Sequence, residues 1–205
     1  MYAIHTTPGL IVSSRPSGEA GKFLNIFTRD LGLIRATAQG IRFEKSKLRP
    51  FIQDYSVGVF SFVRGKEFWR LTNAQEYYDQ HGDVLAGSVE VPLMGKNGEE
   101  LIARTALLLD RLLQGEEAHP ELFGTIHALC VFLHHTPTID PETIKTLESL
   151  TVIRILHRLG YVALISGLKE YIDSDRLDVG LLLSLKDQRI SMNQHINKAL
   201  RESHL

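Results

Sequence analysis

Hydrophobic and polar positions alternate in short bursts through the first 78 residues and then recur at helical spacing through the rest of the chain. In the first part, β-branched and aromatic residues gather at 10–14, 23–28, 33–38, 55–63 and 67–74, the composition of strands on a pleated, half-buried surface. Pro8-Gly9, Pro16-Ser17-Gly18, Asp30-Leu31-Gly32, the 39–50 stretch and Arg64-Gly65-Lys66 punctuate them as turns. Val57, Val59, Ser61 and Val63 alternate with Gly58, Phe60 and Phe62, so small side chains back a face of rings. Five short strands with one long basic connection predict a small barrel of the OB type, with an open sheet as the alternative.

From about residue 79 the period changes. Leu101, Thr105, Leu108 and Leu112 fall on one helical face, and Gly115 stops that helix. A second helix is expected over 120–135. A third has a full start signal, with Asp140 as N-cap, Pro141 in the first position and Glu142 in the first turn. It buries Leu147, Leu150, Ile153, Ile155, Leu156 and Leu159 and ends at Gly160. Residues 175–186 are expected to be helical, and Ser191 with Gln194 predicts a capping box opening the last helix. The fold class is therefore an all-β N-terminal OB-fold barrel, residues 1–78, followed by an all-α helical domain, residues 79–205.

Charge sharpens this division. The net charge is −1. Residues 1–78 nevertheless carry 11 Lys/Arg against 6 Asp/Glu, and the remaining 127 carry 12 against 18. Twelve of the 16 aromatic residues lie in the first part. Positive charge with aromatic rings suits a polyanion bearing flat bases, and the acidic remainder suits docking of proteins. No apolar run approaches a membrane span, and the N-terminus has no basic head followed by an apolar stretch, so a cytoplasmic protein is expected. A single cysteine, Cys130, excludes an internal disulfide or a multi-thiolate zinc site within these residues.

The densest chemistry lies at 35–49, where Arg35, Arg42, Lys45, Lys47 and Arg49 face Glu44 alone. Such cations neutralise phosphates and release counterions, an attraction independent of sequence and strongly weakened by salt. Gly40 lets the chain turn out of its strand, and Phe43 among the charges offers a ring for a base. The competing reading is a solvated loop with Phe43 packed beneath it.

Val12-Ser13-Ser14-Arg15-Pro16 with Glu19, then Phe27-Thr28, Gly32, Arg35, Ala38, Gly40, Arg42 and Ser46-Lys47-Leu48, resemble the N-terminal domain of bacterial RecO proteins. The likeness continues through Leu71-Thr72 and Ala74 and resumes at Leu159-Gly160-Tyr161, a landmark ending a helix in that family. It implies an OB-fold with a helical domain, no catalytic activity and no cofactor. It also implies a nucleoid-associated role in recombinational repair: binding single- and double-stranded DNA, annealing strands, and working with RecR. Relatives engage the C-terminal tail of the single-stranded-DNA-binding protein and help load RecA. Carried onto this chain, Arg35, Arg42, Phe43, Lys45, Lys47 and Arg49 are the DNA contacts, with Arg15 and Lys22 beside them. Residues 162–190 contain no cysteine, so the four-cysteine zinc module of many relatives is absent and a short form is expected. The arginine that holds the tail carboxylate in some relatives falls at Ser149, which leaves Arg154 and Arg158 as the partner-binding candidates.

Other signals have plainer explanations. His127, His134 and His135 lack a further ligand at metal-site spacing, so no metal is expected. Cys130 sits in an apolar run as a small core residue. Asp173, Asp175 and Asp178 suit caps and a solvated loop better than a nuclease cluster. Phe68 and Trp69 are adjacent on a strand and must face opposite ways, one into the core and the other toward the DNA face or the domain junction. An OB-type RNA-binding module and a protein-docking adaptor are the alternative functions. No phosphate-cradling Gly-x-x-x-x-Gly-Lys motif is present, which argues against nucleotide hydrolysis.

Overall fold

The structure is a computed structural model and describes residues 3–41, 46–78, 84–86 and 95–203. The chain divides into two compact units, residues 1–93 with 103–120, and residues 94–102 with 121–205.

In the first unit, β1 (Ile4–Ser17), β2 (Gly21–Thr28), β3 (Gly32–Ala38), β4 (Val57–Arg64) and β5 (Trp69–Gln75) close into a barrel in the order β1-β2-β3-β5-β4. All pairings are antiparallel except that of β3 with β5, which is the strand order of an OB-fold. Period-two alternation sends Ile11, Leu24, Ile26, Ile34, Ala36, Phe60, Phe62, Trp69 and Leu71 into one core. Phe60 and Phe62 are fully buried, each contributing about 1.5–3 kcal/mol by removal from water. Register shifts at Ile11/Ser13 and Ser61/Phe62 bend the strands as closure of a small barrel requires.

Two sequence expectations change here. Pro8-Gly9 is not a turn; it lies inside β1, which starts at Ile4. Residues 4–8 pair with β4 but not with β2, so the N–H that proline lacks costs no second ladder. Gly9 pairs with Gly58 across β1 and β4, and a Cβ on either would stand 3.0 Å from Ile26 Cγ2 or Phe60 Cζ. Both glycines make room for the packed core. Further along, β6 (Tyr77–Tyr78) and β7 (Val84–Ala86) pair antiparallel as a separate ribbon.

Residues 103–120, which include the C-terminal part of α1 (Gly95–Leu112), are tied to the barrel. The Leu33 amide donates to the Gly115 carbonyl at 3.2 Å, and the Trp69 indole N–H donates to Glu116 at 3.0 Å. Glu116 also pairs with Arg64, whose guanidinium stacks 4.8 Å from the Trp69 ring centre. Gly32, at φ +70°, leaves space where a Cβ would meet the Glu117 backbone.

In the second unit, α2 (Pro120–His135) and α3 (Pro141–Arg158) match the expected helices. The Asp140 carboxylate accepts from the amides of Glu142 and Thr143, both at 3.0 Å. α3 packs against α4 (Lys169–Asp173), α5 (Val179–Ser184) and α6 (Arg189–Glu202), and so is buried over most of its circumference. Asp178 caps α5 by accepting from the Leu181 amide at 2.8 Å. The predicted capping box at Ser191 does not form. α6 starts two residues earlier, running on from a 3-10 turn at Lys186–Gln188, so the Ser191 amide already lies inside the helix.

Candidate nucleic-acid interface

Of the eight residues assigned to DNA, Arg42, Phe43 and Lys45 lie outside the described residues. Gly40, at φ +70°, turns the chain away from β3 as expected. Leu48 and Phe51 pack against the barrel core and Ile52 is part of it, so this end of the connection is anchored by its apolar residues. Lys47 and Arg49 are exposed on either side of Leu48. Lys22 reaches across to donate to the Ile52 carbonyl at 3.4 Å, and with Arg49, Ile41 and Gln53 it lines a shallow pocket of about 180 Å³.

Arg15 and Arg35 belong to a second feature, an open groove of about 450 Å³ on the outer face of the barrel. Strand register builds it. Arg15, Phe23 and Thr37 form one transverse row across β1, β2 and β3, and Ser13, Asn25 and Arg35 form the next. The residues between them, Leu24 and Ala36, point into the core. Trp69 pairs with Ala36 and is likewise internal, which turns Phe68 outward beside Arg35. The Phe23 and Phe68 rings meet edge to face at 5.3 Å, and the Arg15 guanidinium lies 5.1 Å from the Phe23 ring centre. Of the two adjacent aromatics at 68 and 69, one is therefore core and the other lines the groove.

The electrostatics separate two kinds of cation. Arg29 pairs with Asp30 at 2.9 Å, which holds the Asp30 carboxyl below its usual range, and Arg64 pairs with Glu116. Arg15, Arg35, Lys47, Arg49 and Arg70 are exposed and make no ion pair among the described residues. Of this set, Arg15 and Arg35 line the groove, Lys47 and Arg49 belong to the basic connection, and Arg70 is on β5. Phe23 and Asn25 were missed in the sequence; the outward phase of Phe23 between Lys22 and Leu24 on β2 was the signal that could have found the first.

In the second unit, Arg154 is 1% exposed and donates to the carbonyls of Tyr171 and Arg176 at 2.8 and 3.0 Å. Burial pushes its pKa down to about 10. Arg158 donates to Glu121 at 2.8 Å and to the Asp173 carbonyl at 3.2 Å. The position matched to the family's tail-binding arginine, Ser149, instead lines a groove between α3 and α6 of about 340 Å³, with Lys145, Val152, Arg189 and Ile196. Lys145 and Arg189 both bond Glu142, at 2.7 and 2.8 Å, which lowers that carboxyl to about 2. Among the described residues no group of three or more His, Cys, Asp or Glu is placed to hold a metal, and no helix is long and apolar enough to cross a membrane.

Residues 1–77 match the family described as Recombination protein O N terminal. Curated relatives include the DNA repair protein RecO of Rubrobacter xylanophilus, 30% identical over 151 residues, covering 67% of this chain and 60% of the relative. The Synechocystis RecO is 32% identical over 113 residues, covering 52% of this chain and 42% of the relative. The Heliobacterium modesticaldum RecO is 29% identical over 164 residues, covering 77% and 52%. The chain thus spans about half the length of the curated relatives it matches. The barrel has the predicted OB order, its N-terminal match is complete over the five strands, and the similarity to whole relatives extends past it; the chain belongs to the RecO family.

Proposed function

We propose that the chain is a non-enzymatic mediator of recombinational DNA repair that binds single- and double-stranded DNA through its barrel and anneals complementary strands. The observation that carries this reading is the set of unpaired cations flanking an aromatic groove on a closed OB-type barrel. Phosphates are drawn by Arg35, Lys47 and Arg49, with Arg42 and Lys45 of the same connection added to them. RecR is the expected working partner, and RecA is served indirectly through loading onto coated strands. The acidic C-terminal tail of the single-stranded-DNA-binding protein is assigned to the α3–α6 groove, where Val152 and Ile196 supply apolar wall and Lys145 and Arg189 must exchange Glu142 for the tail carboxylates beside Glu148. Arg154 and Arg158 are not among the residues lining that groove; they hold the 171–176 backbone and Glu121.

Fluorescence anisotropy of labelled oligo-dT, titrated at low and then physiological salt, tests the central claim. Tight binding that weakens steeply with salt supports it, and strand annealing is then assayed directly. Absence of binding at low salt sinks the DNA role of the barrel. Charge reversal of Arg42, Lys45 and Lys47 together is expected to weaken binding to every sequence alike and to flatten the salt slope.

A further inference from the structure

The groove beside Arg15 contains more than charge. Phe23 and Phe68 are half-buried, meet edge to face, and line a cavity of about 450 Å³ that is open to solvent. Arg15 is exposed, makes no ion pair among the described residues, and rests its guanidinium over the Phe23 ring at 5.1 Å. A cation over a ring is held weakly at such an exposed site, worth about two- to fivefold in an equilibrium constant. A nucleobase on an aromatic ring is worth roughly five- to over a hundredfold. The same ring face can therefore exchange one for the other with a net gain.

We infer that Phe23 and Phe68 form a seat for one unpaired nucleobase, and that Arg15 covers this seat in the free protein and moves to the adjacent phosphate when the base enters. The inference rests on the DNA-binding reading above and adds the determinant of strand choice. In a duplex each base is already stacked and paired, and its flat face is not available to a ring. Single strands present that face. Phosphate contacts alone attract both forms, so the seat provides a preference for unpaired DNA that the cations do not. The surrounding rows fit such a guest. Ser13 offers a hydroxyl along one side, Asn25 next to it already donates its amide to Asp110 at 3.3 Å, and Arg35 provides a further cation at the end of that row. Every base has a π-face, so the preference is expected to be indifferent to sequence.

The test compares oligo-dT with an oligonucleotide of equal length and charge whose central residues are abasic, using the full chain. The wild-type protein should bind the base-bearing strand about tenfold or more tightly, with equal salt slopes for the two. The F23L/F68L double variant keeps apolar volume and removes both rings. It should lose that preference while retaining its affinity for duplex and its salt slope, with a native melting transition confirming that it is folded. Equal wild-type affinity for the two oligonucleotides overturns the seat, whatever the variant does. So does a folded double variant that still prefers the base-bearing strand, or one that loses duplex binding equally. Failure of the wild-type protein to bind any strand at low salt overturns the DNA-binding reading itself, and these two failures are distinguishable.

Discussion

Arg154 and Arg158 stand one turn apart on α3, and their surroundings give them different tasks. Arg154 is 1% exposed and bridges two carbonyls, those of Tyr171 and Arg176, that lie 17 and 22 residues downstream. A buried carbonyl without a donor costs about 1–3 kcal/mol. Arg154→Met should therefore destabilise the protein by about 3 kcal/mol or more in urea unfolding while leaving oligo-dT affinity unchanged. The family resemblance put a tail-binding arginine at Ser149, which made Arg154 a substitute for a partner contact. Nothing local to 154 indicated that the backbone at 171–176 would turn its carbonyls toward it. Cys130 was easier to read, because its apolar neighbours at 128–133 already placed it inside. It is fully buried and its thiol is pushed up to about 12, so the reactive thiolate is scarce at neutral pH. It should resist a thiol reagent in the folded protein and react fully in denaturant.

Pairs of elements show how far periodicity reached and where it stopped. The five strands were legible because alternation of small and aromatic residues has one buried face, and the three long helices were legible from spacing and the Asp140 cap. The start of β1 was not, since Pro8-Gly9 has the local chemistry of a turn and only the packing of Ile26 and Phe60 explains a glycine there. Gly9→Ala should cost about 1–3 kcal/mol by overpacking against Ile26 and Phe60, read as a lowered melting temperature. The α3–α6 pair yields a prediction about pH. Glu142 holds Lys145 from its own helix and Arg189 from α6, and its folded pKa lies below the unfolded value. Its contribution is therefore present above the ordinary glutamate pKa and disappears as pH falls from about 4.5 toward about 2. The melting temperatures of wild type and Glu142→Gln should differ near neutral pH and converge toward pH 2. The same substitution releases both cations and should tighten binding of an acidic tail peptide to the groove.

Over the whole chain the charges nearly cancel, yet they are divided between a basic first part and an acidic remainder. Screening limits an exposed charge to roughly 8–10 Å at cellular salt, so a polyanion on the barrel responds to the cations nearby rather than to the net charge of −1. Arg35→Glu should accordingly reduce the steepness of the salt dependence by about 0.7 for oligo-dT, the increment for one phosphate contact on a single strand. The basic stretch was visible in composition, whereas the groove was not, because its rows are assembled from three strands, with Phe68 added from just before β5, and only the closed barrel defines that register. That closure has a consequence of its own. β3 and β5 are joined through just two paired positions, Ala36 with Trp69 and Thr37 with Arg70, and the groove draws Arg35 from one side of this seam and Phe68 from the other. A strand bound in the groove laces the seam shut, so occupancy and barrel integrity become a single equilibrium. At a hundredfold excess over Kd, oligo-dT would add about 2.7 kcal/mol against opening. Amide hydrogen exchange at 36–37 and 69–70 should then slow more than anywhere else in the barrel.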